Sequence, residues 1–412
     1  MTRRFYILAG EPSGDRLGGA LMPALSELMP VEFRGVGGQT MTRAGLSSRF
    51  DMTELSVMGL TEVLPRLPKL VRRIRETAAD VIAWKPDALV TIDSPDFTLR
   101  VASRVRRALP NLKIIHYVAP SVWAWRPGRA AKMARYVDHV LALLPFEPPF
   151  MHAAGMTCDF VGHPVAAGPR STEADKLAFR AHHGLADKQP VLLLAPGSRR
   201  GEVRRLLPDF KLALARLQHR HPDLTVVTPM AETVEKEVRA SLEGLDRTIL
   251  LAAADTTDEE KRIAFAAADV ALCASGTIVL ELAAAGTPMV AAYRTTWLTA
   301  QIVRRVIRIN TANLVNLIAG RTIVPEFLQE FLSPPELADA LASLLTDASA
   351  RAAQTDAFEV VLGEMGRGGK PPSQRAAESV LSVLEGRAVI PHDIPDQSKD
   401  ALGPDVRHVG RR

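Results

Sequence analysis

Mostly apolar runs recur along the first half of the chain at residues 5–9, 88–92, 113–118, 139–144 and 159–162, each followed by a longer stretch of helical periodicity. Short apolar runs without strict alternation fit strands covered on both faces, so the rhythm predicts a parallel sheet with crossover helices. It repeats at residues 191–195, 224–228, 248–251, 270–274 and 289–293, which predicts a second unit of the same α/β class. Between the halves, Gly162-His-Pro-Val-Ala-Ala-Gly-Pro169 leads into the polar residues 170–175 and reads as a linker. Beyond about residue 335 the strands stop. Helical patterns follow at residues 336–346 and 373–384, separated by the glycines of 363–369. The expected division is a first domain over 1–168, a second over 169–345, helices over 346–386 that pack across the domains, and a mobile tail over 387–412. Pro391, Pro395 and Pro404 among mixed charges leave that tail little to bury.

Composition narrows this picture. A chain of 412 residues exceeds the usual size of a single core, and 47% hydrophobic with 24% charged residues is ordinary for a globular enzyme. The net charge of +5 suits anionic substrates or an anionic membrane surface but is too weak to argue for nucleic acid. The two cysteines, Cys158 and Cys273, both lie in apolar strand-like segments, so neither a disulfide framework nor a cysteine metal site is expected, and a reducing cytoplasm fits. The apolar run at 5–9 is too short for a signal peptide, and no run reaches the ~20 residues that span a bilayer.

Candidate chemistry clusters where runs end. Gly10-Glu11-Pro-Ser13-Gly14-Asp15 forms a strand-turn-helix ligand loop, with the helix expected to start near Arg16, yet it matches neither the dinucleotide fingerprint nor the triphosphate P-loop. Ser13 or Asp15 capping the helix accounts for part of it, but a cap does not require Glu11. Asp93 and Asp96 sit just past the run at 88–92, where open α/β sheets bind their ligands. Asp93 is the candidate general base for a sugar hydroxyl, while Asp96 also suits a helix cap. His116, Ser121, Trp123, Trp125 and Arg126 follow the run at 113–118 and hold two of the four tryptophans, which suggests a binding wall for a sugar ring or an acyl chain.

In the second half, Pro196-Gly197-Ser198-Arg199 offers flexible backbone and a guanidinium for a departing diphosphate. Ser275-Gly276-Thr277 supplies capping hydroxyls and an open helix start for a diphosphate, and Glu281, one turn on from Thr277, is placed to accept hydrogen bonds from ribose hydroxyls. Residues 56–75 combine Leu64, Leu67 and Leu70 with Lys69, Arg72 and Arg73, as in a peripheral amphipathic segment at an anionic membrane, with Pro65 and Pro68 expected to interrupt its helix.

Taken in order, Gly10-Glu-Pro-Ser-Gly-Asp15, Val57-Met-Gly-Leu-Thr-Glu-Val63, Ile92-Asp-Ser-Pro-Asp-Phe97, His116-Tyr-Val-Ala-Pro-Ser-Val-Trp-Ala-Trp-Arg126, Leu144-Pro-Phe-Glu147, Phe160-Val-Gly-His-Pro164, Pro196-Gly-Ser-Arg199, Ala274-Ser-Gly-Thr277 and Asn316-Leu-Ile-Ala-Gly320 resemble the lipid-A-disaccharide synthase family. The resemblance implies a GT-B fold, with two Rossmann-like doubly wound domains facing a central cleft. It implies transfer of the sugar of UDP-2,3-diacylglucosamine to the 6-hydroxyl of 2,3-diacylglucosamine 1-phosphate (lipid X) with inversion. Asp93 is then the base; Glu11 and Ser13 lie near the sugars; Arg199, Ser275, Gly276, Thr277, Glu281 and Asn316 hold UDP; and no metal or cofactor is expected. It also implies a cytoplasmic protein held peripherally at the inner membrane, and makes a homodimer plausible. Competing readings are another UDP-N-acetylglucosamine enzyme on the same scaffold, whether a transferase with a different acceptor or a 2-epimerase, and a non-catalytic sugar-binding protein. The Asp93 to Asp96 pair and the lack of an export signal argue against the last.

Overall fold

The computed structural model describes residues 2–55, 60–124, 128–296 and 311–387, with backbone alone for 60–67. The expected tail beyond Arg387 lies outside the described residues. The chain forms two compact units, Met1–Ala167 joined by the segment that begins at Met365, and Gly168–Glu364.

The first unit is built on β1 (Arg3–Ala9), β2 (Val31–Val36), β3 (Ala88–Ile92), β4 (Lys113–Tyr117), β5 (His139–Ala142) and β6 (Thr157–Phe160). They form one sheet in the order β2-β1-β3-β4-β5-β6, with every pairing parallel. Residues 5–9 of β1 are fully buried, and their sides alternate: Tyr6 and Leu8 join one core, Phe5, Ile7 and Ala9 the other. Helices Leu60–Trp84 and Thr98–Ala108 cover the first face through Ile74, Val81, Val101 and Val105. Helices Pro12–Leu28 and Pro372–Leu384 cover the second through Leu21, Leu25, Ala376 and Val380. Apolar layers on both sides explain why β1 and β3 read as continuous hydrophobic runs.

The second unit repeats the plan with β7 (Val191–Ala195), β8 (Thr225–Pro229), β9 (Thr248–Leu251), β10 (Val270–Ala274), β11 (Met289–Tyr293) and β12 (Glu326–Leu328), in the order β12-β11-β10-β7-β8-β9. All its pairings are parallel too. Helices Arg200–Arg220 and Pro334–Thr346 seat Leu206, Phe210, Leu214, Leu337 and Leu341 against Leu192, Leu194 and Leu272 of the sheet. In each sheet the winding reverses once, between β1 and β3 and between β7 and β10. The strand ends at those two places are where an open parallel sheet leaves room for a ligand.

Three elements escape the apolar pattern. β2 carries Glu32 and Arg34 between its apolar residues because it lies at a sheet edge, and β12 is an edge strand of only three residues. Helix Ala348–Glu364 is Ala-rich and weakly patterned, and Asp347 Oδ1 starts it by accepting from Ser349 N and Ala350 N. The expectation that Pro65 and Pro68 interrupt their helix is overturned, since Leu60–Trp84 runs through both. Each proline leaves out one i→i−4 backbone bond, and the helix continues past both. Among the described residues no helix is long and apolar enough to cross a membrane.

The return of the chain to the first unit rests on a polar seam. Arg375 Nη2 donates to Phe160 O at 2.6 Å and its guanidinium lies 4.9 Å from the Phe160 ring centre. Ser379 Oγ donates to Asp159 Oδ2 at 2.5 Å and lies 2.9 Å from Nε2 of the fully buried His139. Gly162 takes φ +92, and a Cβ there would stand 3.1 Å from Met365 O. Ser379→Ala is therefore expected to lower unfolding free energy by about 1–3 kcal/mol. Chemical denaturation reads the loss, and hydrogen exchange should show the helix Pro372–Leu384 opening first; an unchanged midpoint would show that the seam contributes nothing.

Candidate active site

The reversal between β1 and β3 brings two loops together. Ser13 Oγ donates to Asp93 Oδ2 at 3.1 Å across 80 residues of sequence. Asp93 and Ser94 both take left-handed backbone, φ +48 and +44, although neither is glycine. Such angles cost free energy and persist only where surrounding bonds hold them. Here Asp93 N donates to Tyr117 O at 3.0 Å, and Thr98 Oγ1 donates to Asp93 O at 2.6 Å and to Ser94 O at 3.1 Å. Gly10 makes room for the turn, since a Cβ there would sit 2.4 Å from Ser94 Oγ.

The neighbouring acids do other things. Asp15 does not cap its own helix; its carboxylate accepts from Gly38 N at 2.7 Å, Thr40 N at 2.8 Å and Met41 N at 3.1 Å, and so starts the helix Gln39–Arg43. Glu11 occupies the cap position of Pro12–Leu28 in extended backbone, is exposed, and makes no side-chain cap bond. Asp96 is 90% exposed and lies 3.7 Å from Arg100, so the structure does not gather it with Asp93 and Ser13. It makes no cap bond to the helix Thr98–Ala108 either.

Around β4 the aromatic cluster turns inward. His116 is buried with Nδ1 2.9 Å from Thr91 Oγ1. The same hydroxyl also lies 3.2 Å from Ile115 O, so Thr91 holds both the ring and the neighbouring strand. Burial first, and then the charge of Arg129, bring the His116 pKa down to about 3, so the ring is neutral. Trp123 is also buried, with Nε1 3.4 Å from Glu147 Oε1 and its ring edge-on to Phe146 at 5.2 Å. Ser121 is exposed; Trp125 and Arg126 lie outside the described residues.

Glu147 escaped the sequence reading as a site residue. Its Oε2 accepts from Leu143 N at 3.1 Å and Leu144 N at 3.0 Å, so one buried carboxylate holds both the β5 exit and the Trp123 loop. Burial pushes its pKa up to about 7, against the pull of those three donors. The signal was an acid inside Leu144-Pro-Phe-Glu147, a string otherwise apolar.

At the reversal between β7 and β10, Gly197 takes φ +109, and a Cβ on it would meet Glu202 Oε2 at 2.3 Å. Burial raises the Glu202 pKa, while the charge of Arg199 and the N–H groups of Ser198 and Arg199 lower it. Glu202 thus ties the Pro196 to Arg199 turn to the first turn of helix Arg200–Arg220, with Ser198 and Arg199 exposed beside it. Arg200 is held by Thr233 O at 3.2 Å and Glu237 at 3.3 Å.

Across from it, Ser275-Gly276-Thr277 opens the helix Ile278–Ala285 without any side-chain cap, contrary to the expected capping hydroxyls. Ser275 Oγ instead donates to Glu326 Oε1 at 2.7 Å, and a Cβ on Gly276 would meet nothing within 4 Å. No side chain caps the first N–H groups of that helix, the end at which a helix favours an anion. Glu281 is half-exposed with one oxygen 2.8 Å from Lys261 Nζ. Asn316 is buried and directed into its own loop, accepting from Ile323 N and Val324 N at 2.8 Å each and donating to Val324 O at 2.9 Å.

On the amphipathic helix, Leu70 rests half-buried against the first core, and Lys69 and Arg73 reach Glu54 at 3.3 and 2.8 Å. Arg72 is 62% exposed and faces Glu76 at 3.6 Å. The side chains of Leu64 and Leu67 lie outside the described residues. Among the described residues no group of three or more His, Cys, Asp or Glu side chains is placed to hold a metal ion.

Known proteins give this geometry a context. The family described as lipid-A-disaccharide synthetase matches residues 5–377. A lipid-A-disaccharide synthase of Ruegeria pomeroyi is 54% identical over 389 residues, 93% of this chain and 96% of the relative, and one of Rhodospirillum centenum is 49% identical over 93% and 95%. Among solved structures, a UDP-GlcNAc 2-epimerase of Neisseria meningitidis bound to UDP-GlcNAc superposes with a TM-score of 0.61 at 12% identity, covering 94% of this chain and all of the other. A Staphylococcus aureus protein solved with UDP gives 0.60 at 15%, covering 95% and 100%. At such identity these two share the fold alone, which is that of GT-B proteins.

Glu147 makes a pH-dependent contribution whose sign is opposite to that of a salt bridge. Its folded pKa of about 7 lies above the usual carboxylate value, so its favourable contribution is complete below about pH 4.5 and is lost as pH rises toward 7. Glu147→Gln removes that ionisation, so its stability relative to the parent should rise from pH 5 to pH 8, by about 3 kcal/mol at most. Parallel denaturation curves at the two pH values measure it, and a constant offset between the proteins would rule the effect out.

Proposed function

The chain belongs to the lipid-A-disaccharide synthase family, and from that premise we propose how its residues divide the reaction. The protein is a glycosyltransferase that joins the sugar of UDP-2,3-diacylglucosamine to O6 of lipid X, giving a β-1,6-linked disaccharide 1-phosphate and UDP. The observation that carries the reading is the family match at high identity across both units; the epimerases share only the fold.

Asp93 is the base. Its carboxylate takes the proton of the acceptor 6-hydroxyl as O6 attacks the anomeric carbon and the bond to the diphosphate breaks, its electron pair leaving with UDP. Attack from the face opposite the leaving group inverts the centre. The Ser13 hydrogen bond supports this role by fixing one carboxylate oxygen, which leaves the other to the acceptor. Glu11 and Ser121, both exposed near the ends of β1 and β4, are the acceptor contacts of the first unit.

UDP is held by the second unit. Arg199 meets the diphosphate as charge builds on it, with Gly197 and Ser198 lending backbone, while the N–H groups after Gly276 and Thr277 meet the phosphates along the helix axis. Glu281 takes the ribose hydroxyls, with Lys261 Nζ holding one of its oxygens at 2.8 Å. Asn316 acts by shaping the 323–324 loop. The acyl chains of both substrates place the reaction at the cytoplasmic face of the inner membrane, where Arg72 and the other cations of helix Leu60–Trp84 provide a peripheral contact.

Asp93→Ala is expected to abolish disaccharide formation from diacylated substrates and to leave UDP affinity within about twofold by calorimetry. Normal turnover in that variant removes Asp93 as base, and turnover of only an unacylated UDP-sugar by the parent protein removes the assigned activity. Gly10→Ala tests the turn. Its Cβ must displace Ser94, so turnover should fall at least about tenfold with the circular dichroism spectrum kept; full activity would mean that the Asp93 turn tolerates movement.

A further inference from the structure

A half-buried carboxylate that the sequence reading did not single out organises the second unit's turn. Glu326, at the start of β12, receives Ser275 Oγ at 2.7 Å on Oε1, and Thr311 Oγ1 at 2.6 Å and Ala312 N at 3.2 Å on Oε2. Three segments distant in sequence thereby meet on one side chain: the exit of β10, the residues after 310, and the edge strand. The neighbouring loop is closed in the same way. Asn313 Oδ1 accepts from Val315 N at 2.9 Å, and Asn316 binds Ile323 and Val324. Burial pushes the Glu326 carboxyl up, and the donors from Thr311, Ser275 and Ala312 draw it back.

We propose that Glu326 is a positioning residue for UDP, fixing the direction of the Ser275 hydroxyl and tying the 275–277 turn to the segment 311–316. This inference rests on the reading of the second unit as the UDP site. A serine hydroxyl has one proton and two lone pairs. With the proton directed to Glu326, Ser275 offers a ligand only acceptor capacity, which suits a donor on the nucleoside, a ribose hydroxyl or the uracil N3–H, and not a phosphate oxygen. The diphosphate is left to the N–H groups that follow Gly276 and Thr277. Loss of the carboxylate frees the Ser275 proton and releases Thr311 together, so the turn loses both its orientation and its tether.

The test is UDP binding by calorimetry to the full-length parent, Glu326→Ala, Glu326→Gln, Ser275→Ala and the double variant Ser275→Ala/Glu326→Ala, with donor and acceptor KM from steady-state kinetics. Glu326→Ala should raise the UDP Kd about tenfold or more, Glu326→Gln less, and the donor KM should rise with the acceptor KM unchanged. The double variant should bind no more than about twofold more weakly than Glu326→Ala. If Glu326→Ala does not fold, Glu326→Gln and Ser275→Ala carry the same comparison. Folded variants that bind UDP like the parent, or losses that add in full in the double variant, overturn this inference alone. A parent protein that does not bind UDP overturns the donor reading and this inference with it.

Discussion

A parallel sheet that reverses its winding sends the two crossover helices beside the reversal to opposite faces, and nothing in the fold then fills the space above the two strand ends. Everything chemical in this chain follows from that constraint, met twice. At β1 and β3 it places the Gly10 to Ser13 loop beside Asp93 and Ser94; at β7 and β10 it places the Pro196 to Arg199 loop beside Ser275 to Thr277. The apolar cores on both sheet faces are what make the arrangement obligatory. Residues such as Tyr6, Ile7, Leu193 and Leu272 are fully buried, so no strand can slip or turn without exposing one face.

Consequently the turns at the reversals are held by bonds from the sheet and not by their own preferences. Asp93 and Ser94 illustrate the balance. Each left-handed non-glycine residue costs on the order of 1–3 kcal/mol, and the restraints are the bonds from Thr98 to the two carbonyls and from Asp93 N to Tyr117. Val118, at the end of the next strand, takes φ +82 although it is β-branched, and is tied by its N–H to Leu141 O at 3.0 Å. Strained residues at adjacent strand ends mean that the sheet, and not the turn itself, sets the position of the Asp93 carboxylate, which is the preorganisation that its proposed role as base calls for.

How far this could be read in advance differs by level. Runs such as 88–92 and 270–274 coincide with their strands because burial on both faces forces continuous apolar sequence. The string Gly10 to Asp15 was legible only in part: a strand does turn into a helix there, but the helix expected near Arg16 already begins at Pro12, with Glu11 at its cap position. What spacing cannot convey is which polar atoms already have a protein partner. Trp123 and His116 read as a binding wall yet are engaged by Glu147 and Thr91, and Ser275 read as a cap yet donates to Glu326. Those partners lie 24, 25 and 51 residues away and carry no local pattern.

Two of those partners, Glu147 and Glu326, share with Asp15 a chemistry that explains why the turns need acids inside. A loop leaving a strand exposes consecutive N–H groups that no helix or ladder can satisfy, and an apolar side chain would leave them orphaned. A carboxyl group has two oxygens, so a single residue can serve several donors. Asp15 serves Gly38, Thr40 and Met41; Glu147 serves Leu143, Leu144 and Trp123; Glu326 serves Ser275, Thr311 and Ala312. Burying the charge is the cost, visible in the raised pKa values of Glu147 and Glu326. A half-buried anion near the proposed diphosphate would oppose binding if its charge pointed outward. Because its donors face it from the turn, Glu326 draws the hydroxyl protons of Ser275 and Thr311 inward, and the helix N–H groups beyond Gly276 remain the ones that face an anion. The acid therefore sorts the turn into an acceptor part and a donor part, the order that the proposed nucleoside diphosphate would match, hydroxyls first and phosphates after.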